Sequence, residues 1–290
     1  MISSNISKIS VSLKHSMMNS INGIDLITNY KKELETSKLA AEKATKIIAE
    51  YTLSGDFSIE LKGKNDLVTD ADLASEKIIL ETIRNFFPED EFLAEESNTK
   101  TELPDGRIWI IDPIDGTTNF AHGFPIYCIS IALWVDGVPK VALVKEVAKG
   151  EIFWAIEGEG AYLDEKRISI SQIKDPGKSL IGTGFPYTAF EHVDKYINLL
   201  KSLMQHTHGI RRPGAASYDL CCTACGRFDG FFEYGLSPWD VAASALIIKE
   251  AGGIVTDWNE GEDWLFGKSI IAGNSSIAQF LHDQITEHFK

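Results

Sequence analysis

Residues 108–120 read Ile-Trp-Ile-Ile-Asp-Pro-Ile-Asp-Gly-Thr-Thr-Asn-Phe. The four apolar residues Ile108 to Ile111 have the pattern of a buried strand that delivers an acid, Asp112, at its end. Pro113 lacks an amide donor and restricts the residue before it, so the segment does not continue as an ordinary helix. Asp115 stands three positions after Asp112, and on such a chain both carboxylates can converge on one point. Gly116-Thr117-Thr118 then reads as a glycine-softened helix start. Hard divalent cations such as Mg²⁺ take oxygens from one or two carboxylates and share their other positions with water and substrate phosphate. Exposed amides at a helix N-terminus bind the phosphate itself. Strand, Asp-x-x-Asp and Gly-Thr-Thr therefore supply metal ligands first and a phosphate cradle second. The competing reading is an Asp-Gly turn with Asp112 as a cap, because motifs this short recur by chance.

Two flanking segments weigh on that choice. Phe92-Leu-Ala-Glu-Glu-Ser97 is another apolar stretch ending in paired acids, and Ser237-Pro-Trp-Asp240 stands immediately before an Ala-rich helix. Taken singly, the glutamates read as solvated surface and Asp240 as an N-cap worth about 1 kcal/mol. Together with Asp112 and Asp115, Glu95 and Asp240 make four acids from three segments, which suits a site for two or three Mg²⁺ ions, or Mn²⁺ in their place. Upstream, Lys62-Gly-Lys-Asn-Asp66-Leu-Val-Thr-Asp-Ala-Asp72 reads as a basic loop leading to acids at a helix start, with a capping box from Thr69 to Asp72 as its structural alternative.

The elements around these motifs follow from periodicity. Ala40, Ala44, Ile47, Ile48 and Tyr51 mark a helix over about 30–52. Ile79, Ile83, Phe86 and Phe87 mark a second, starting near Thr69 to Asp72 and stopped by Pro88. From 108 to about 162 the pattern turns to strands at 126–134, 138–147 and 152–156, separated by Asp136-Gly137 and Lys149-Gly150 turns, which predicts an antiparallel meander. After about 166, short strands at 180–183, 209–212, 231–233, 253–256 and 270–272 alternate with helices near 190–206, 217–225, 240–251 and 276–288. That alternation predicts a separate α/β half, so the expected division is a flexible arm at 1–28, an α+β metal-binding half at 29–165 and an α/β half at 166–290.

Composition narrows the function classes. The 290 residues are 44% hydrophobic, enough for a sizeable core. A formal charge of −14 sets up a field that repels polyanions, so nucleic-acid binding is not expected, while a metal-dependent phosphoester site is compatible with it. No apolar run approaches the ~20 residues that span a membrane. Cys128, Cys221, Cys222 and Cys225 form no spread-out disulfide framework, and no secretory segment precedes the first helix, so a cytoplasmic protein is expected. Cys222-Thr-Ala-Cys225 lacks a second pair to complete a zinc site and reads as packing.

Asp66-Leu-Val-Thr-x-x-Asp72, Glu95-Glu96-Ser97, Ile111 to Phe120 and Pro238-Trp-Asp240 occur in order, and from about residue 30 to the C-terminus the chain resembles the inositol monophosphatase family of Mg²⁺-dependent, lithium-sensitive phosphatases. The resemblance implies a layered αβαβα architecture, a homodimer and an active site between the two halves. It implies that Glu95, Asp112 and the main-chain carbonyl of Ile114 hold one Mg²⁺, that Asp112, Asp115 and Asp240 hold another, and that Glu95 with water holds a third. Gly116 and Thr117 would present amides to phosphate. Thr117 and Asp72 resemble the pair that orients and deprotonates water, with Glu96 behind the metal ligands and Lys62 offsetting phosphoryl charge. On the alcohol side, Gly214, Ala215, Ala216 and Glu233 fall where the family contacts its polyol; Ala215 departs from the Ser or Thr that many members carry. Asp70 is an additional acid without an assigned role, and His122 is read as structural.

The implied reaction is hydrolysis of a small phosphorylated polyol or sugar, first myo-inositol monophosphate. The alternatives are fructose-1,6-bisphosphatase or another sugar, polyol or nucleotide phosphatase of the same superfamily. The Leu236-Ser-Pro-Trp-Asp240 stretch and the Gly184-Phe-Pro-Tyr187 loop look most like bacterial inositol monophosphatases. A different class is a regulatory binding protein that kept the fold, acting on RNA or the transcription machinery.

Overall fold

The computed structural model describes residues 30–63, 66–97, 100, 102–185, 187 and 190–289. The N-terminal arm expected at 1–28 lies outside the described residues. The first helix, α1 (Lys31–Ser54), buries Ala40, Ala41, Ala44 and Ile48 on one face and ends at Gly55, whose left-handed φ of 62° lets its amide reach the Tyr51 carbonyl. A hairpin of β1 (Ile59–Gly63) and β2 (Asp66–Thr69) follows. This corrects the expected basic loop: Ile59 and Leu61 are exposed and the segment is highly charged, so it carries no buried apolar run to announce a strand. Helix α2 (Asp70–Phe86) starts from the Thr69–Asp72 capping box and buries Ile79 and Ile83.

The strand predicted from the opening stretch is β4 (Arg107–Asp115), buried at every position after Arg107. Ile108 and Ile110 pack into one core and Trp109, Ile111 and Ile114 into another, so the strand is covered on both faces. It pairs in parallel with β3 (Glu91–Ala94) on one side. On the other it heads an antiparallel meander through β5 (Cys128–Val135), β6 (Val138–Glu146), β7 (Ile152–Ile156), β8 (Gly160–Leu163) and β9 (Lys166–Arg167), giving a seven-stranded sheet. The last two strands carry no clear alternation and were not expected from the sequence. A short helix, α3 (Thr117–Ala121), leaves the end of β4.

A second, five-stranded sheet has the order β11-β10-β12-β14-β13, from β10 (Leu180–Thr183), β11 (Gly209–Arg211), β12 (Gly230–Tyr234), β13 (Ile254–Thr256) and β14 (Ser269–Gly273). It is mixed: β10 runs parallel to β11 and β12, while β14 is antiparallel to both β12 and β13. Helices α5 (Ala216–Ala224) and α6 (Pro238–Glu250) fill the space between the two sheets. Val241 through Ile248 are all buried, as a helix with sheets on both sides requires. Helices α4 (Val193–His206) and α7 (Ser275–Phe289) cover the far face of the second sheet, and α1 with α2 cover the far face of the first. The layers therefore read α, β, α, β, α.

Ile83 is fully buried between α2 and its neighbours. Ile83→Ala should lower the unfolding free energy by about 2–5 kcal/mol, read as an earlier urea midpoint with an unchanged folded baseline in circular dichroism.

Candidate active site and metal centre

The site begins with a register shift. Asp112 pairs with Ser130 and Asp115 with Cys128, so three steps on β4 face two on β5. Such a bulge re-aims side chains at a strand end. It brings carboxylate oxygens of Asp112, Asp115 and Asp240 within 4.8 Å of one another. Asp240 lies in the first turn of α6, where its Oδ2 accepts from the Ser237 amide at 2.7 Å. Ser130 Oγ donates to the Trp239 carbonyl at 3.1 Å and Ser217 Oγ to the Asp240 carbonyl at 3.0 Å, which ties the start of α6 to β5 and α5. Asp115 accepts from the Ala216 amide at 3.2 Å and the Ser217 amide at 2.6 Å. Helix α5 has Ala215 at its N-cap, with no side chain able to cap it, and Asp115 takes that role from 100 residues away.

These carboxylates sit in an unfavourable field. Burial pushes Asp112 well above the usual carboxylate range, and the negative charges of Glu95, Asp115, Asp240 and Asp72 push it the same way. Burial raises Asp240, with Asp115 adding to it. Asp115 is also raised by burial, partly offset by the Ser217 and Ala216 amides. Acids that are close, buried and mutually repelling fit a divalent cation, which supplies the charge the site lacks. The donor set is all oxygen, as hard cations require.

Next to it, Thr117 Oγ1 lies 3.1 Å from Asp72 Oδ1 and 3.0 Å from the Ile114 carbonyl, so its one proton has two acceptors. Asp72 Oδ2 is engaged by the Thr69 amide at 2.8 Å and hydroxyl at 2.6 Å. The capping box thus uses Oδ2, and Oδ1 faces the Thr117 hydroxyl. Gly116 precedes α3 with φ 93°, and a Cβ there would come within 3.1 Å of the Ile126 carbonyl and 3.2 Å of Ala215, so glycine is required on both counts. Glu95 donates its amide to the Ile111 carbonyl at 3.1 Å, which places it alongside the end of β4. The Glu96 amide is bound by Glu76 at 2.8 Å. Asp70 accepts from the Ser58 amide and hydroxyl at 2.8 and 2.7 Å, and so anchors the hairpin's entry to the helix start.

A cleft of about 770 Å³ opens here, bordered by Glu95, Asp115, Gly116, Thr117 and Asp240 and, across from the acids in sequence, by Gly214, Ala215, Ala216 and Glu233. Asn119 Nδ2 holds the second group in place through the Ile126 carbonyl at 2.8 Å and the Pro213 carbonyl at 3.0 Å. Glu233 is pushed up to about 8, first by burial, with Asp115 raising it further and Arg212 opposing both. Gly184 makes room for it: a Cβ at 184 would fall 1.7 Å from Glu233 Oε1. The Lys62 side chain lies outside the described residues. His122, read as structural, is exposed and also borders the cleft. Arg212, Phe185, Tyr187, Leu61 and Leu67 border it as well and were not singled out from sequence. Arg212 packs its guanidinium 5.5 Å from the Phe185 ring and 5.1 Å from that of Tyr187. Only the Gly-Phe-Pro-Tyr loop had drawn notice, and its partner lies 25 residues on.

Residues 29–290 match the sequence profile of the Inositol monophosphatase family. The chain belongs to the inositol monophosphatase family. A relative from Neisseria meningitidis serogroup B called a putative Nus factor SuhB is 42% identical over 256 residues, spanning 88% of this chain and 98% of the relative. The extragenic suppressor protein suhB of Bartonella henselae is similar in structure at TM-score 0.85 and 35% identity, covering 89% of this chain and 99% of its own. The inositol monophosphatase of Anabaena is similar at TM-score 0.80 and 36% identity, covering 90% and 97%. Membership supports a phosphatase of this metal-dependent superfamily. No helix among the described residues is long and apolar enough to cross a membrane.

The raised acids carry a pH signature. Their folded pKa values are raised above that of an unfolded Asp, about 3.9, so metal-free stability should fall as pH rises above that value. Asp112→Asn should flatten that fall and raise the metal-free melting temperature at pH 8, while shrinking the shift that Mg²⁺ produces in wild type; thermal melts with EDTA or Mg²⁺ at pH 5 and 8 read both effects.

Proposed function

We propose that this chain hydrolyses a phosphate monoester of a small polyol, with myo-inositol monophosphate the first candidate, in the cytoplasm and as a homodimer. The convergence of Asp112, Asp115 and Asp240 beside the Gly116–Thr117 turn carries the reading. Glu95, Asp112 and the Ile114 carbonyl would hold one Mg²⁺ and Asp112, Asp115 and Asp240 a second, with Glu95 at a third; Mn²⁺ is the expected substitute. The bound ions would supply positive charge to the phosphoryl group and bring the pKa of water toward neutrality.

The chain's own residues do the rest. Gly116 and Thr117 amides face phosphate oxygens at the start of α3. Asp72 Oδ2 is occupied by Thr69, which leaves Oδ1 to take the Thr117 proton. As Asp72 takes that proton, the Thr117 oxygen accepts one from water, so a single net proton passes from water to Asp72, a general-base role. Ala215 keeps a backbone amide but no hydroxyl, so recognition of the polyol falls to the Gly214–Ala216 backbone and Glu233. With Glu233 held near 8, its carboxyl carries a proton at neutral pH and can donate to a ring hydroxyl as well as accept.

Phosphate release with Mg²⁺ from myo-inositol 1-phosphate, fructose 1,6-bisphosphate, histidinol phosphate and 3′-phosphoadenosine 5′-phosphate tests the reading. Activity should be highest on the inositol ester and be abolished in Asp112→Asn with the fold retained; a folded variant with near wild-type turnover would remove Asp112 from the site. Fructose-1,6-bisphosphatase is the runner-up outcome. Thr117→Ala should cut kcat by about 10²- to 10⁴-fold with little change in melting temperature.

A second reading rests on the relative called a putative Nus factor. In it the chain is a regulatory binding protein on the same fold. Its net charge of −14 argues against direct contact with RNA and favours a protein partner. Absence of phosphate release from all four esters by protein that still binds Mg²⁺ would move the assignment to that reading.

A further inference from the structure

One stripe of α2 is polar where packing calls for apolar side chains. Ile79 and Ile83 bury that stripe in the core, and Asp72, Ser75 and Glu76 continue it one and two turns earlier at the same helical spacing, all three buried. Polar groups enclosed in this way are destabilising unless each finds a partner. Each of the three is directed at a different segment of the acid site. Asp72 Oδ1 faces the Thr117 hydroxyl at 3.1 Å. Ser75 Oγ donates to the Pro113 carbonyl at 3.0 Å, and the amide of that same peptide unit, from Ile114, donates to Asp112 Oδ1 at 3.0 Å. Glu76 Oε2 accepts from the Glu96 amide at 2.8 Å. That amide belongs to the peptide unit after Glu95, and the unit before it donates the Glu95 amide to the Ile111 carbonyl at 3.1 Å. The main chain of Glu95 is therefore pinned on both sides.

Resting on the metal-dependent phosphatase reading above, we propose that Glu76 is a positioning residue for the metal centre: through the Glu96 amide it sets the direction in which Glu95 projects. Peptide units are planar, so holding the units before and after Glu95 fixes both its φ and its ψ, and with them the rotamers open to its side chain. A carboxylate is a strong acceptor for such an amide, and Ile79 and Ile83 in the core hold the helix that carries it. Ser75 does the same for the Pro113–Ile114 unit that steadies Asp112. One turn of α2 thus places residue 95 and residues 112–114 against a common reference. Groups that orient metal ligands from behind govern how tightly the cation is held. The stripe separates two tasks: Asp72 acts on Thr117 and so on the rate, Glu76 and Ser75 on cation affinity.

Titration calorimetry with Mg²⁺ alone reads cation affinity without any turnover. Glu76→Ala should weaken it by about 10- to 100-fold. The Mg²⁺ concentration for half-maximal phosphate release should rise by the same factor, with far less change in kcat at saturating Mg²⁺. Glu76→Gln keeps an acceptor oxygen at the same reach and should restore most of the affinity. If Glu76→Ala does not fold, Glu76→Asp takes its place: it keeps the charge, withdraws the acceptor by one methylene and should weaken Mg²⁺ in the same direction. A variant that melts earlier in EDTA but binds Mg²⁺ as wild type does would make Glu76 a packing residue and overturn the assignment, as would Glu76→Gln binding as weakly as Glu76→Ala. Wild type that binds Mg²⁺ yet releases no phosphate from myo-inositol 1-phosphate condemns the phosphatase reading, while the ratio of Mg²⁺ affinities still judges Glu76.

Discussion

Three carboxylates that repel one another are held with oxygens inside 4.8 Å at the end of a buried strand, and most of the local structure serves to keep them there. Left alone, such a cluster would spread apart or take up protons. Asp112 is turned by a bulge, and its Oδ1 accepts from the Ile114 amide at 3.0 Å. Asp115 is fastened to the first amides of α5, and Asp240 to the Ser237 amide at the start of α6. Each acid is thus bound by backbone donors of an element that the two sheets pack in place.

That arrangement couples the fold to the chemistry. Helix α5 borrows its cap from Asp115, so the carboxylate that would hold a cation also orients the turn at 214–216 that borders the cleft. Helix α6 lies between the two sheets, buried on all sides, and delivers Asp240 from the second half of the chain to acids of the first. Stability is spent on function here: the same burial that fixes the acids raises their pKa values, a strain that a bound cation relieves.

Much of this was legible from residues alone. Ile108 to Ile111 announced a strand covered on both faces, since its apolar run has no polar alternation. Ala40, Ala44 and Ile48 announced α1, and the Asp-Gly and Lys-Gly turns marked the strands between them. Less was visible where side chains are polar or pairing is short. The β1–β2 hairpin and the edge strands β8 and β9 bury too little to leave a pattern, and the antiparallel course of β14 among strands that otherwise share one direction depends on neighbours far along the chain.

The sequence by itself determined which acids are available, the order in which strands and helices present them, and the resemblance that joins Asp72, Glu95, Asp112, Asp115 and Asp240 into one set. These are local properties: a strand's apolar run, a proline that stops a helix, a glycine that permits a turn. Only the tertiary structure decided that Asp115 caps a helix 100 residues away, that both oxygens of Asp72 have separate partners, and that Arg212 locks Phe185 and Tyr187 at the cleft. Those contacts join residues far apart in the chain, and such pairs meet only when the sheets and the helices between them have packed.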